Sequence, residues 1–136
     1  MVKNIVKDID FLSEKSIDMT KSDKDIIKDL KDTLSFNSLR CVGMAANMIG
    51  YHKNCIIFYD NQKQVIMINP KIISKDILYE TKEGCLSLSG ERITRRYQII
   101  KVEYLDESFK RKVGTYTGFV AQIIQHEIDH LFGIII

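Results

Sequence analysis

The residues best equipped for chemistry lie late in the sequence, at His126-Glu127-Ile128-Asp129-His130, an H-E-x-x-H pattern. Around it, Phe119, Val120, Ile123, Ile124, Ile128 and Leu131 recur at a spacing that predicts a long buried helix stopping near Gly133. A helix turns once in about 3.6 residues, so imidazoles at i and i+4 share a face and can hold one metal ion, while Glu127 lies beside them as a base for a water molecule that the ion polarises. The structural alternative is two partly buried histidines that merely hydrogen-bond. A catalytic metal site typically has three protein ligands and an open position. After His130 only Leu131, Phe132, Gly133 and isoleucines follow, so a third ligand must come from elsewhere.

Other elements must position these groups. Ser22 with Asp25 reads as a capping box, and Ile26, Ile27, Leu30 and Leu34 mark one face of a helix over residues 24–36, its charged side solvated. Residues 55–59 and 65–69 are β-branched and aromatic, with a turn at 60–63, and predict a hairpin. Residues 71–73 and 77–79 continue as short strands, and 98–104 with 110–113 flank a second turn at Asp106-Glu107-Ser108. The expected fold is α+β: an N-terminal helix, antiparallel strands and hairpins, and a C-terminal metal-binding helix.

Composition narrows the function. The 136 residues, 45% hydrophobic and 28% charged, suit one domain over 1–136, since there is no internal repeat, no Gly/Ser-rich linker and a single proline, Pro70. Twenty basic against eighteen acidic residues leave a net charge of +2, too small a surplus to make nucleic acid or an anionic membrane the expected partner. Three cysteines form no disulfide framework, so a functional thiol is expected to be reduced, as metal ligand or nucleophile. Lys3, Asn4, Lys7, Asp8 and Asp10 interrupt the apolar residues of the N-terminus, no long apolar span occurs, and a cytoplasmic location is expected.

Upstream of the histidines stands Glu83-Gly84-Cys85-Leu86-Ser87. E-G-C-L-S, followed by Q-H-E-I-D-H-L-x-G from Gln125, resembles the second and third signatures of the peptide deformylases. Residues 41–50, C-V-G-M-A-A-N-M-I-G, resemble the family's first, G-x-G-x-A-A-x-Q followed by I-G. Asn69-Pro70-Lys71-Ile72 and Ile93-Thr94-Arg95 resemble its N-P-x-I and V-x-R segments, and the similarity runs in the family's order over about residues 5–133.

The resemblance implies an enzyme that removes the formyl group from formyl-methionyl N-termini of nascent peptides. Cys85, His126 and His130 would bind the metal, Glu127 would be the general acid/base, and the backbone N–H of Leu86 would help hold the oxyanion. Val42, Gly43, Met48, Glu83, Phe119 and Ile123 would line the substrate groove, with Val42, Phe119 and Ile123 forming an apolar pocket that Gln122 makes more polar. Arg95 would brace Glu83. One thiolate with two imidazoles suits zinc, ferrous iron, nickel or cobalt. The resemblance implies one divalent ion, Fe(II) in the cell, with Zn(II) or Ni(II) in isolated protein. Only Ile134, Ile135 and Ile136 follow Gly133, so ribosome association through a C-terminal extension is not expected.

This sequence departs from the pattern at Met48, where the family has a glutamine whose amide donates to the oxyanion. A thioether cannot donate, and losing one such donor costs on the order of 100- to 1000-fold in turnover, about 2.7 to 4 kcal/mol. A catalytically weakened homologue that binds metal and formyl-peptide, or regulates, is therefore the second expectation, and a metalloprotease or amidase the third. Asn47, one position away, is expected to be an ordinary polar residue. Cys41 replaces the motif's first glycine and Ser89 a usual proline. Cys55 is expected to be structural and His52 to face solvent.

Overall fold

The computed structural model describes residues 1–135, and Ile136, the last residue of the expected domain, lies outside them. Helix α1 spans Ile9–Leu12 and α2 Asp25–Phe36; strands β1 to β5 span Gly43–Ala45, Cys55–Asp60, Lys63–Cys85, Leu88–Leu105 and Arg111–Thr117; helix α3 spans Gly118–Leu131. The strands form one antiparallel sheet in sequence order. The fold is α+β, as expected.

Helix α2 matches the predicted range, but the capping box sits two residues earlier than expected, at Thr20 and Asp23 on the short 3₁₀ segment before it. The carboxylate of Asp23 accepts the Thr20 N–H at 3.0 Å, and Lys24, which enters α2, makes no side-chain cap. Leu30 and Leu34 are fully buried on the predicted face. In β2, Cys55, Ile56, Ile57 and Phe58 are all buried. Consecutive burial means that both faces of the strand are covered, and α2 and α3 both pack against it. Cys55 is thus the structural residue it was expected to be.

The β2–β3 hairpin turns through Asn61 and Gln62, both at positive φ (51° and 67°), with Asp60 paired to Lys63. Positive φ at two central residues is the twist-compatible two-residue turn. The expected short strands at 71–73 and 77–79 are instead parts of one continuous β3, carried past register shifts next to Ile68 and Ile72. Bulges let a strand bend without ending. At one of them Asn69, φ 51°, accepts from the Met19 N–H at 2.7 Å and donates to its carbonyl at 3.1 Å, pinning the N-terminal segment to the sheet.

The long β3–β4 hairpin closes at Cys85 and Leu88, so its tip carries residues 83–87 toward α3. Helix α3 stops as predicted before Gly133, whose φ is 78° and where a Cβ would come within 2.2 Å of the Ser13 carbonyl oxygen. Gln125 ties α3 to β4 with both ends of its amide: Nε2 donates to the Tyr97 carbonyl and Oε1 accepts the Tyr97 N–H, each at 2.8 Å. His52 is half-buried rather than solvent-facing. Its ring stacks on Phe11 with centroids 3.9 Å apart, because a flat ring covers apolar surface better than water does. Among the described residues no helix is long and apolar enough to cross a membrane.

Candidate metal centre and active-site cavity

Two elements meet at the site. The hairpin tip supplies Cys85 and the buried face of α3 supplies His126 and His130, and one ligand atom from each lies within 4.8 Å of the others. The two histidine Nε2 atoms face each other at 3.1 Å. Two protonated nitrogens cannot sit so close, so at least one offers a lone pair. Burial and the neighbouring His126 push His130 down to about 3. A thiol, two converging imidazole nitrogens and an adjacent carboxylate are a donor set that fits a divalent transition metal.

The surroundings orient these groups. The Nδ1 of His126 lies 2.7 Å from Glu83 Oε1, a carboxylate behind an imidazole that fixes which ring nitrogen faces inward. Burial works against the Glu83 charge, yet hydrogen bonds from His126 and Arg96 hold its carboxyl down at about 2. Burial likewise opposes charge on His126, but hydrogen bonds to Cys85 and Glu83 raise it to about 10. Arg96 donates to Glu83 through Nε at 2.9 Å and through a terminal nitrogen at 2.6 Å, and reaches Asp129 on α3 at 2.6 Å.

The sequence leads one to expect this bracing from Arg95, and the structure corrects that: Arg96 supplies it. Side chains alternate along a strand, so Arg96 on β4 turns inward and is 4% exposed, while Arg95 faces solvent and pairs across from Glu80. Asn47 is also a positioning group: fully buried, it donates Nδ2 to the His130 carbonyl at 2.8 Å. It is therefore not aimed at an oxyanion. Gln125 opens the third signature, Asn47 stands at a variable position of the first and Arg96 follows Ile93-Thr94-Arg95, but none of these placements discloses the partner that its side chain holds.

Glu127 lies beside the histidines, 5% exposed, and its Oε1 has no hydrogen-bond partner among the described residues. Burial pushes its carboxyl up to about 7. An orphaned buried oxygen on a carboxyl poised near neutral pH is suited to exchange protons with a bound molecule. Gly43 lets it sit there. A Cβ at that position would lie 2.6 Å from Ile123 Cγ2, closer than packed atoms approach, and a tight 3.1 Å from Glu127 Oε2.

In front of these groups opens a cavity of about 440 Å³. Every residue expected in the substrate groove lines it: Val42, Gly43, Met48, Glu83, Phe119 and Ile123, together with Cys85, Leu86, His126 and Glu127. Ile123 is buried, whereas Val42 and Phe119 are exposed at the rim. Gln122 also lines it, its Oε1 3.2 Å from the hydroxyl of Tyr79. Met48 is buried, its Sδ 3.5 Å from the Ala45 nitrogen whose N–H it accepts, so it is an acceptor where the family's motif has a donor. Cys41 lines the cavity half-buried, its thiol 2.8 Å from the Gly43 carbonyl. Burial pushes that thiol up to about 12, which leaves it neutral and unreactive.

A model described as polypeptide deformylase matches residues 2–136. The peptide deformylase of Clostridium beijerinckii is 54% identical over 136 residues, all of both chains; that of Aquifex aeolicus is 35% identical over 129 residues, covering 90% of this chain and 75% of the other. Among solved structures, a Met-Ala-Ser bound class I type b peptide deformylase from Acinetobacter baumannii superposes with a TM-score of 0.90 at 26% identity, covering 99% of this chain and 97% of that one. The family acts as metal-dependent hydrolases on formyl-methionyl peptides. With sequence likeness over the full length, a shared fold and a compatible metal-binding group all agreeing, the chain belongs to the polypeptide deformylase family.

Proposed function

We propose that this chain removes the N-formyl group from the formyl-methionyl ends of newly made peptides in the cytoplasm, as one domain, with Cys85, His126 and His130 holding a single divalent cation and Glu127 moving the proton. One observation carries the assignment of roles: Glu127, whose Oε1 has no partner among the described residues, lines the same cavity as Cys85 and His126, and His130 lies 3.1 Å from His126, nitrogen to nitrogen. When bound, the cation supplies Lewis acidity and draws the pKa of a neighbouring water toward neutrality. Glu127 accepts a proton from the attacking water and delivers it to the amine nitrogen as the formamide C–N bond breaks, giving formate and a free α-amine. The Leu86 N–H donates to the carbonyl oxygen as it gains charge. Glu83, held by Arg96, keeps His126 in one orientation.

The methionine side chain fits the apolar wall of Ile123 and Phe119, and the Met-Ala-Ser bound relative supports a peptide that begins with methionine. For the metal we propose Fe(II) in the cell and Zn(II) or Ni(II) in isolated protein, since the donor set accommodates each and availability selects among them. No nucleic-acid, membrane or ribosome partner is part of this proposal.

The direct test combines elemental analysis with formate release from a formyl-methionyl peptide, on anaerobically prepared Fe(II) and Ni(II) forms. One metal per chain is expected, lost in Cys85→Ser, with formate release that Glu127→Ala abolishes. Wild-type formate release no greater than that of Glu127→Ala would remove the catalytic assignment.

A second reading rests on Met48. Because its thioether cannot donate a hydrogen bond, a slow or binding-only homologue is the alternative. It corresponds to stoichiometric metal and measurable formyl-peptide binding with little turnover.

A further inference from the structure

We infer that the mouth of the cavity reads a carboxylate on the residues that follow the methionine, through Arg40 and Lys82; this rests on the deformylase reading of the same cavity. Both residues line it, on two walls: Arg40 leads into the wall at 41–43 and Lys82 into the wall at 83–86. With the formyl group at Glu127 and the methionine side chain against Ile123, the rest of the peptide leaves across the exposed rim, which Arg40 and Lys82 share with Val42, Gly84, Gly90 and Phe119.

The other charges bordering the cavity do not cancel the two cations. Glu83 is committed to Arg96 and His126. Glu127 sits at the buried end, beside the histidines. Glu91, across the hairpin from Gly84, lies outside the lining. Among the described residues neither Arg40 nor Lys82 makes an ion pair within 4.0 Å.

Arg40 is also held in place. One terminal nitrogen donates to Asn37 Oδ1 at 3.0 Å, and Asn37 is itself buried with its Nδ2 on the Thr33 carbonyl at 2.8 Å at the end of α2. The anchor is a neutral amide, so the guanidinium keeps its full charge and its remaining N–H donors for a ligand. A positioned guanidinium on one wall with an ammonium on the other favours a carboxylate over the isosteric amide, in a way that salt screens.

The experiment compares formyl-Met-Asp-Ala-amide with formyl-Met-Asn-Ala-amide on the metal-loaded protein by formate release. It also compares Met-Asp-Ala-amide with Met-Asn-Ala-amide for binding by calorimetry. At about 20 mM salt the Asp peptide is expected to be favoured about two- to tenfold in both kcat/KM and affinity, with the ratio falling toward one near about 0.5 M salt. Reversing the charges with Arg40→Glu and Lys82→Glu together is expected to turn the preference against Asp; both residues are surface-exposed, and circular dichroism checks that the variant stays folded. A wild-type ratio at or below one at low salt, in turnover and in binding, overturns the inference. Formate from neither peptide alongside a retained binding preference would instead fell the deformylase reading and leave this one standing.

Discussion

Arg96 grips Glu83 through two hydrogen bonds, at 2.9 and 2.6 Å, with both side chains buried. The same carboxylate takes a hydrogen bond from His126, so a cation on β4 sets the orientation of an imidazole on α3. Arg96→Met strips the partner from a buried carboxylate and should cost about 3–5 kcal/mol of stability and about 10- to 100-fold in metal affinity. Arg95→Ala, on the solvent side, should stay within about 0.5 kcal/mol of wild type. Urea unfolding and a competitive metal titration measure both, and equal effects at the two positions would contradict the assignment.

Gly43 is the price of placing Glu127 so near β1. Gly43→Ala drives a methyl toward Ile123 Cγ2 and Glu127 Oε2. Overpacking of that kind costs about 1–3 kcal/mol and should lower formate release as well. If the clash with Ile123 is the cause, Gly43→Ala with Ile123→Ala should cost less than the sum of the two single changes in a double-mutant cycle. Strict additivity would show that the strain lies elsewhere.

Met48→Gln tests whether turnover is limited at the oxyanion. A glutamine there could keep an acceptor toward the Ala45 N–H, as Sδ does now at 3.5 Å, while its amide donates into the cavity. The expected result is a rise in kcat of up to about 100- to 1000-fold with little change in KM. A rate unchanged from wild type would mean that another donor already serves.

Away from the site, Tyr51 donates its hydroxyl to Asp29 Oδ2 at 2.7 Å. Burial of Asp29 opposes its charge, but this bond and the Met1 ammonium more than offset it, and the carboxyl is held below its ordinary value. A lowered carboxyl stabilises the fold in full above the unfolded value of about 3.9, and the contribution is lost as pH falls through the folded value. Tyr51→Phe should therefore cost about 1 kcal/mol near neutrality and progressively less below about pH 4. A penalty that is constant from pH 7 to pH 3 would exclude linkage through Asp29.

Much of the site is legible because its chemistry is local. His126, Glu127 and His130 are fixed by helical spacing, and α3 ends where Gly133 requires. Strand residues in short apolar runs are legible too, as at 55–59 and 65–69. What escapes sequence inspection depends on register. The choice between Arg95 and Arg96 is a question of strand parity, and parity passes through the irregularities of a hairpin whose arms run Lys63–Cys85 and Leu88–Leu105. Residues 71–79 look like separate strands because Asn69-Pro70 and the polar Ser74-Lys75-Asp76 imitate breaks, while cross-strand bonding to β4 carries the ladder past them. Asn47 and Gln125 go unseen for a different reason: their partners are main-chain atoms, which no residue code discloses.

The ligand atoms come from a hairpin tip and from a helix that follows a further strand, so an ion held by all of them also acts as a clip across the chain. A ligand that binds only the folded form adds about 4.1 kcal/mol when its free concentration is a thousand times its dissociation constant. Thermal endurance of this protein should then track the supply of the metal it binds. When that metal is scarce the unclipped population would open more often and be degraded sooner, coupling the abundance of the protein, as well as its turnover, to the nutrient state of the cell.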